Sequence, residues 1–170
     1  MSRLLVVEDE KSMRDLLALM LRKEGHDVET VESATRAQQQ ISDGNTHDLI
    51  ISDISMPGMS GMELLRFSKK CRPDTAVILM TAYGSKHTAI EALNEGASYY
   101  VEKPFDIDEM KVVVRKTLDN RRVHAENEGL KELNRDLRAE LTGRHGFEGL
   151  VGRSSKMRSI LELIERVAHT

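Results

Sequence analysis

The sequence predicts an α/β fold, in which helices cover both faces of a doubly wound, five-stranded parallel sheet. Short apolar runs alternate with segments of helical periodicity over about the first 118 residues. The runs are almost continuously apolar, as strands buried on both faces require. Five strand–helix pairs in this length favour right-handed crossovers between parallel strands.

Five apolar runs give the predicted strands, which are residues 4–7, 28–31, 49–51, 76–80 and 99–101. Between these runs, leucine or alanine recurs three and four residues apart, which predicts helices. These helices are residues 11–23, 34–42, 61–70 and 86–95. Asp106 is a suitable N-cap for a further helix.

The chain is expected to have three parts, at residues 1–119, 120–142 and 143–170. The first is the α/β domain. The second is rich in charge and contains no proline and a single glycine, Gly129, so it is predicted to continue the preceding helix as a linker. In the third part, glycines at 143, 146 and 149 break the helical pattern before a last amphipathic helix that ends near Val167. A helix of that size cannot bury its face alone, so this part is expected to begin a further domain.

The linker also carries a heptad pattern. Its a row is Val113, Asn120, Asn127, Asn134 and Leu141, and its d row is Lys116, Val123, Leu130 and Leu137. Asparagine at an a position costs stability but selects a parallel two-stranded coiled coil. The linker therefore predicts a parallel homodimer, and the alternative is a solvated, charge-rich connector.

Composition excludes several classes of function for these residues. The formal net charge is -3, so no basic field draws this stretch of chain to nucleic acid. The apolar runs are far shorter than the roughly 20 residues that a membrane helix needs, so no membrane contact is expected. Cys71 is the one cysteine, which fits a reducing cytoplasm and excludes an internal disulfide.

Polar residues follow four of the five predicted strands. Glu8 and Asp9 follow the first strand, Asp53 the third, Thr81 the fourth and Lys103 the fifth. Because ligands bind beyond the carboxyl ends of parallel strands, these side chains are expected to converge. Clustered carboxylates need a cation, and oxygen ligands suit Mg²⁺. With a phosphoryl group present, Asp53 would be the nucleophile and Thr81 and Lys103 would contact phosphoryl oxygens.

Each of these residues alone has an ordinary explanation as a helix cap, a loop residue or a solvated lysine. Their joint occurrence at correctly ordered strand ends favours a functional site. Four segments, at residues 6–10, 53–61, 80–82 and 100–105, then resemble the receiver domains of two-component response regulators. The resemblance covers residues 1 to about 120 and implies a flavodoxin-like sheet of strand order 2-1-3-4-5.

The resemblance also implies a role for each site residue. Asp53 would accept a phosphoryl group from a sensor histidine kinase, in a self-catalysed transfer rather than as an enzyme acting on separate substrates. Glu8, Asp9, Asp53 and the backbone carbonyl of Ser55 would hold Mg²⁺. Glu8 stands where an aspartate is more usual, so the metal geometry could differ slightly from the family pattern.

The remaining implied roles concern the switch and one peptide bond. Thr81 and Tyr100 match the family's switch pair, in which the hydroxyl moves toward the phosphoryl group and the ring turns inward behind it. The Lys103–Pro104 peptide bond is expected to be cis.

A second resemblance lies in the last part of the chain. Residues 146–154, followed by Met157, Ile160 and Ile164, are similar to the beginning of the AAA+ module of sigma-54-dependent transcriptional activators of the nitrogen-regulator type. The phosphate-binding Walker A motif is not among the 170 residues. ATP binding and DNA binding are therefore expected of a full-length protein and not of this chain.

Three alternatives are disfavoured by particular residues. A stand-alone receiver acting through protein contacts would not need residues 121–170. A Mg²⁺-dependent aspartyl-phosphate phosphatase of the haloacid-dehalogenase type needs a second aspartate two residues after the nucleophile, where Ser55 stands. A flavin-binding protein needs a phosphate loop after the first strand, where Glu8, Asp9 and Glu10 would repel the phosphate.

Overall fold

The structure is a computed structural model that describes residues 1–82 and 86–144. Strands and helices alternate along the chain as β1 (Arg3–Val7), α1 (Lys11–Lys23), β2 (Asp27–Val31), α2 (Ala34–Ser42), β3 (Leu49–Asp53), α3 (Gly61–Cys71), β4 (Ala76–Thr81), α4 (Lys86–Asn94), β5 (Tyr99–Glu102) and α5 (Ile107–Arg144). Every predicted strand and helix among these residues is present, and its ends differ from the prediction by no more than two residues.

The sheet is parallel and has the strand order β2-β1-β3-β4-β5, which confirms the predicted fold class and order. Its three central strands are buried along nearly their whole length. Because side chains alternate between the faces of a strand, Leu4 and Val6 enter one apolar layer while Leu5 and Val7 enter the other. Helices α1 and α5 cover the first layer, and α2, α3 and α4 cover the second.

Helix α5 begins after Asp106, whose Oδ1 accepts a hydrogen bond from the Asp108 amide at 2.7 Å. The helix continues without interruption to Arg144, so the predicted linker helix is present. It also passes through Gly143, which was expected to break the helical pattern. That expectation was wrong, since one glycine costs a helix only about 1 kcal/mol.

The first turns of α5 belong to the core of the α/β domain. Met110, Val113 and Val114 are buried against the sheet, and Val113 is only 4 % exposed. The first a position of the predicted heptad pattern is therefore occupied by domain packing, and a coiled-coil seam cannot begin there. In contrast, the d residues Val123 and Leu130 are more than half exposed.

The chain forms two compact units, Met1–Ala125 and Glu126–Thr170. The predicted start of an AAA+ module and its amphipathic helix fall on residues 145–170, which lie outside the described residues. The division into parts at residues 1–119, 120–142 and 143–170 stays a prediction. Of the helices that the structure describes, none has the length and apolar character needed to cross a membrane.

Candidate functional site

The predicted site residues lie at the carboxyl end of the sheet. Asp53 is the last residue of β3 and Thr81 the last residue of β4, while Glu8 directly follows β1 and Lys103 directly follows β5. The strand register aligns these ends: the partner of Asp53 on β4 is one residue before Thr81, so both side chains start from the same edge. Parallel pairing thus brings the residues together as the sequence predicted.

Lys103 bridges two of the carboxylates. Its Nζ donates to Oε2 of Glu8 at 2.7 Å and to Oδ2 of Asp53 at 2.6 Å. The Lys103 side chain is 13 % exposed and that of Glu8 only 1 %. Burial disfavours the charged ammonium, but the hydrogen bonds to Asp53 and Glu8 outweigh it and raise the pKa of Lys103. The ammonium therefore stays protonated beside the carboxylates.

One ammonium does not balance the acidic groups around it. Burial is the main cause that raises the pKa of Glu8, and the charge of Asp53 adds to the rise, while Lys103 opposes it. Carboxylate oxygens of Glu8, Asp9 and Asp53 lie within 4.8 Å of one another, and Asp9 is exposed. Carboxylate oxygens are the hard donors that Mg²⁺ prefers, and the ion usually keeps several of its waters. A cluster of three carboxylates, one of them exposed to solvent, suits both preferences. The residues present therefore fit a magnesium ion.

The Asp53 side chain is held at both oxygens. The Ser55 amide donates to Oδ1 at 2.9 Å, and Lys103 donates to Oδ2. Asp53 as a residue is 6 % exposed. The carboxylate therefore has a fixed orientation at the carboxyl end of the sheet. The role of the Ser55 carbonyl as a metal ligand stays a prediction.

Gly61 allows the backbone around Asp53 to take this position. A Cβ atom at Gly61 would lie 2.1 Å from the carbonyl oxygen of Asp53, so α3 could not begin where it does with any other residue there. The Gly61 amide also donates to the Ile54 carbonyl at 3.1 Å. Sequence reasoning included Gly61 in a motif without a role. The sequence feature that could have revealed this role is a glycine at the first position of a predicted helix, where most other residues would stabilise the helix more.

Arg14 is a second residue that sequence reasoning missed. Its Nη1 donates to the carbonyl oxygen of Glu8 at 2.6 Å and to that of Asp9 at 3.2 Å. The sequence carries a weak signal, which is an arginine in the first turn of α1, five residues after the acidic pair.

Thr81 and Tyr100 lie on the neighbouring strands β4 and β5, and their role as a switch pair stays a prediction. Thr81 is 2 % exposed, and its carbonyl accepts the Lys103 amide at 2.7 Å. Tyr100 is half-buried and packs against the apolar layer that α4 covers. Burial raises the pKa of the Tyr100 phenol, and the Thr81 hydroxyl opposes that rise. The Lys103–Pro104 peptide bond is cis, as the resemblance implied.

A parallel sheet of this order, with an acidic cluster and a lysine at its carboxyl end, defines the class of receiver-type signalling domains. Receiver domains bind Mg²⁺ at such an acidic pocket and interact with sensor histidine kinases. The chain belongs to the family described as the response regulator receiver domain, whose sequence profile matches residues 4–115.

Similarity to known regulators extends beyond that domain. The chain is 33 % identical to the DNA-binding transcriptional regulator NtrC of Azospirillum brasilense, over 98 % of this chain and 32 % of the relative. It is 34 % identical to the C4-dicarboxylate transport transcriptional regulatory protein DctD of Pseudomonas aeruginosa, over 98 % of this chain and 35 % of the relative. The chain thus spans about a third of the length of these relatives.

Two solved structures give the same result. The crystal structure of NtrX from Brucella abortus matches with a TM-score of 0.73 and 32 % identity, over 99 % of this chain and 35 % of that one. The solution structure of the beryllofluoride-activated NtrC4 receiver domain dimer matches with a TM-score of 0.67 and 31 % identity, over 71 % of this chain and 99 % of that one.

Proposed function

We propose that this chain is the phosphorylation-controlled receiver of a two-component system, in which Asp53 accepts a phosphoryl group from a sensor histidine kinase. One observation carries the proposal: the Asp53 carboxylate is oriented by the Ser55 amide and by Lys103 beside two further carboxylates. A structural ion pair would need one acid and one base, whereas this cluster has an excess of negative charge that a bound metal ion would neutralise, so that an anionic phosphoryl group could approach.

The proposed transfer assigns a task to each residue. A carboxylate oxygen of Asp53 attacks the phosphorus of a phosphohistidine, so that a P–O bond forms, the P–N bond breaks and the kinase imidazole leaves. Lys103 moves its hydrogen bond from the carboxylate to a phosphoryl oxygen, and the Thr81 hydroxyl donates to another. Glu8, Asp9, Asp53 and the Ser55 carbonyl would hold Mg²⁺, which neutralises charge on the transferred group when it is bound.

The signal would then pass through the switch pair. Movement of the Thr81 hydroxyl toward the phosphoryl group vacates space into which the Tyr100 ring can turn. The ring is now half-buried, so a change in its packing alters the surface formed by α4 and β5. This supports Thr81 and Tyr100 as the residues that convert a charge on Asp53 into a change of surface.

We assign the regulation of sigma-54-dependent transcription to the full-length protein. The support is the similarity to NtrC and DctD over 98 % of this chain. ATP binding and DNA binding are proposed for the full-length protein only. The proposed setting is the cytoplasm, since the lone cysteine, Cys71, is exposed and fits a reducing compartment.

We further propose that activation involves a homodimer through the receiver and the linker part of α5. Val123, Leu130 and Leu137 form an exposed apolar row seven residues apart. With Leu130 at d, Glu126 takes a g position and Lys131 the following e position, which face each other between the chains of a parallel dimer. In an antiparallel dimer, g positions face g positions and e positions face e positions, so residues of like charge would lie opposite each other. The solved NtrC4 receiver is a beryllofluoride-activated dimer, which supports the same behaviour here.

The phosphoacceptor is tested with acetyl phosphate and Mg²⁺, followed by intact-mass measurement. The wild-type chain should gain one phosphoryl group, and Asp53→Ala should gain none. Asp15→Ala is the matched control, because Asp15 is an exposed aspartate on α1 outside the acidic cluster, and it should behave as the wild type. Labelling of Asp53→Ala at the wild-type rate would exclude Asp53 as the acceptor.

The dimer is tested by sedimentation equilibrium with and without beryllium fluoride. The 170-residue chain should associate more strongly than residues 1–119 alone. Replacing Asn127 and Asn134 with isoleucine should strengthen association, because the a row becomes apolar. If the chain stays monomeric at tens of micromolar with and without beryllium fluoride, the linker is a solvated connector instead.

A further inference from the structure

The turn between β1 and α1 carries two of the three clustered carboxylates and is only three residues long, from Glu8 to Glu10. Glu8 is tied to the sheet because its amide donates to the Val31 carbonyl at 3.2 Å. Asp9 has no such tie to the sheet among the described hydrogen bonds. Its backbone carbonyl is held by Arg14, 3.2 Å away, and its side chain is exposed.

Arg14 connects the two acidic residues through their backbone. One guanidinium nitrogen, Nη1, reaches both carbonyl oxygens, with the shorter contact of 2.6 Å to Glu8. Carbonyls that point to Arg14 fix the peptide planes of the turn, and the planes fix the directions in which the two side chains leave it. Arg14 is itself half-buried and lies in the first turn of α1, so its own position is set by the helix.

We propose that Arg14 is a positioning residue for the metal site. Its guanidinium holds the turn so that the exposed Asp9 carboxylate stays within 4.8 Å of the carboxylates of Glu8 and Asp53. The inference rests on the proposed function, because it takes the acidic cluster to be a Mg²⁺ site. It concerns a residue that is not among the proposed metal ligands.

The charge of Arg14 makes the inference testable by the sign of an effect. A cation held against the turn that carries Glu8 and Asp9 weakens the binding of a second cation there by simple Coulomb repulsion. If charge were its whole contribution, removing Arg14 would tighten Mg²⁺ binding. If positioning dominates, removal weakens binding, since loss of a residue that orients metal ligands typically costs about 10-fold or more in affinity.

Arg22 supplies a matched control on the same helix. Its Nη2 donates to the Val28 carbonyl at 2.8 Å, which is a contact of the same chemical kind near the other end of α1. Loss of either arginine removes a charge and its side-chain hydrogen bonds to backbone carbonyls, which are two for Arg14 and one for Arg22. Of these two arginines, Arg14 donates to the carbonyls of Glu8 and Asp9, and Arg22 donates to that of Val28.

The experiment is an NMR titration of the full chain with Mg²⁺ alone, with the rate of phosphorylation by acetyl phosphate as a second readout. Arg14→Met should raise the Mg²⁺ dissociation constant by about 10-fold. Arg14→Lys keeps the charge but reaches fewer acceptors, so it should fall between Arg14→Met and the wild type. Arg22→Met should leave the dissociation constant unchanged.

Each outcome decides the question. If Arg14→Met binds Mg²⁺ with an affinity equal to or higher than that of the wild type, the positioning role is overturned and the proposed function is unaffected. Failure of the wild-type chain to bind Mg²⁺ overturns both. Should Arg14→Met not fold, Arg14→Lys carries the test: affinity below the wild type supports positioning, and wild-type affinity contradicts it.

Discussion

The substitution Gly61→Ala would place a methyl group where the backbone of Asp53 already lies. The new Cβ would be 2.1 Å from the Asp53 carbonyl oxygen, 2.9 Å from the Asp53 carbonyl carbon and 3.0 Å from Cα of Ile54. All three neighbours are backbone atoms, so no side-chain rotation can relieve the overlap. Either the start of α3 or the end of β3 must move by about an ångström.

That movement should destabilise the domain. Overpacking of a filled interior costs about 1–3 kcal/mol. Gly61 does not have a positive φ, so alanine also lowers the conformational entropy of the unfolded chain. This effect stabilises the folded domain by about 0.4–1 kcal/mol and offsets part of the loss. We therefore expect a net loss of roughly 1–2 kcal/mol, which corresponds to a fall of about 1 M in the urea midpoint for a domain of this size.

Urea unfolding followed by circular dichroism measures the loss, and acetyl phosphate labelling measures its effect on Asp53. Labelling should slow as well, since the carboxylate moves with its backbone. Gly129→Ala is the matched control: no neighbour lies within 4 Å of a Cβ at that position in α5. It should increase helix content without lowering the midpoint. A Gly61→Ala chain with wild-type stability and labelling would show that the close approach is not a constraint.

Two further substitutions probe the ion pairs. Lys103→Met removes the partner of Glu8 and Asp53, and loss of one member of a buried pair costs about 3–5 kcal/mol. Burial raises the pKa of Glu8 and Lys103 opposes that rise, so loss of the lysine leaves a carboxyl that takes a proton more readily as the pH falls. The urea midpoint should therefore fall less at acidic pH than at alkaline pH, and an equal fall at both would contradict this. Arg121→Gln breaks contacts of α5 with the Asp48 carboxylate at 2.7 Å and the Asp74 carbonyl at 2.9 Å. Amide exchange around residue 121 should quicken while the central strands keep their protection, and unchanged exchange would show that these contacts do not hold the helix.

The strand-end residues could be predicted from the sequence because parallel pairing leaves little freedom. Once β3, β4 and β5 are aligned, Asp53, Thr81 and Lys103 must emerge at one edge. The two residues that the sequence did not reveal depend on distances that no pattern encodes. The role of Gly61 follows from how closely α3 approaches β3, and that of Arg14 from the path of one side chain to two carbonyls.

Val113 shows a different limit. Helical periodicity places Val113 on the same stripe of α5 as the linker asparagines, but the residues of this stripe have different surroundings along the helix. At Val113 it packs on the sheet, and after Ala125 it belongs to a separate compact unit. A packed amphipathic helix repeats every 3.6 residues and a coiled coil every 3.5, so over one or two heptads the sequence cannot distinguish them.

Chemical trapping of the phosphorylated residue tests most directly whether Asp53 is the phosphoacceptor. Borohydride reduces an aspartyl phosphate to homoserine, which marks the modified position in a peptide map. After treatment with acetyl phosphate, we expect homoserine at position 53, formed when Mg²⁺ is present and absent when it is chelated. Homoserine at another aspartate, or a yield at position 53 that does not depend on Mg²⁺, would contradict the assignment of Asp53 and its acidic cluster as the phosphoacceptor site.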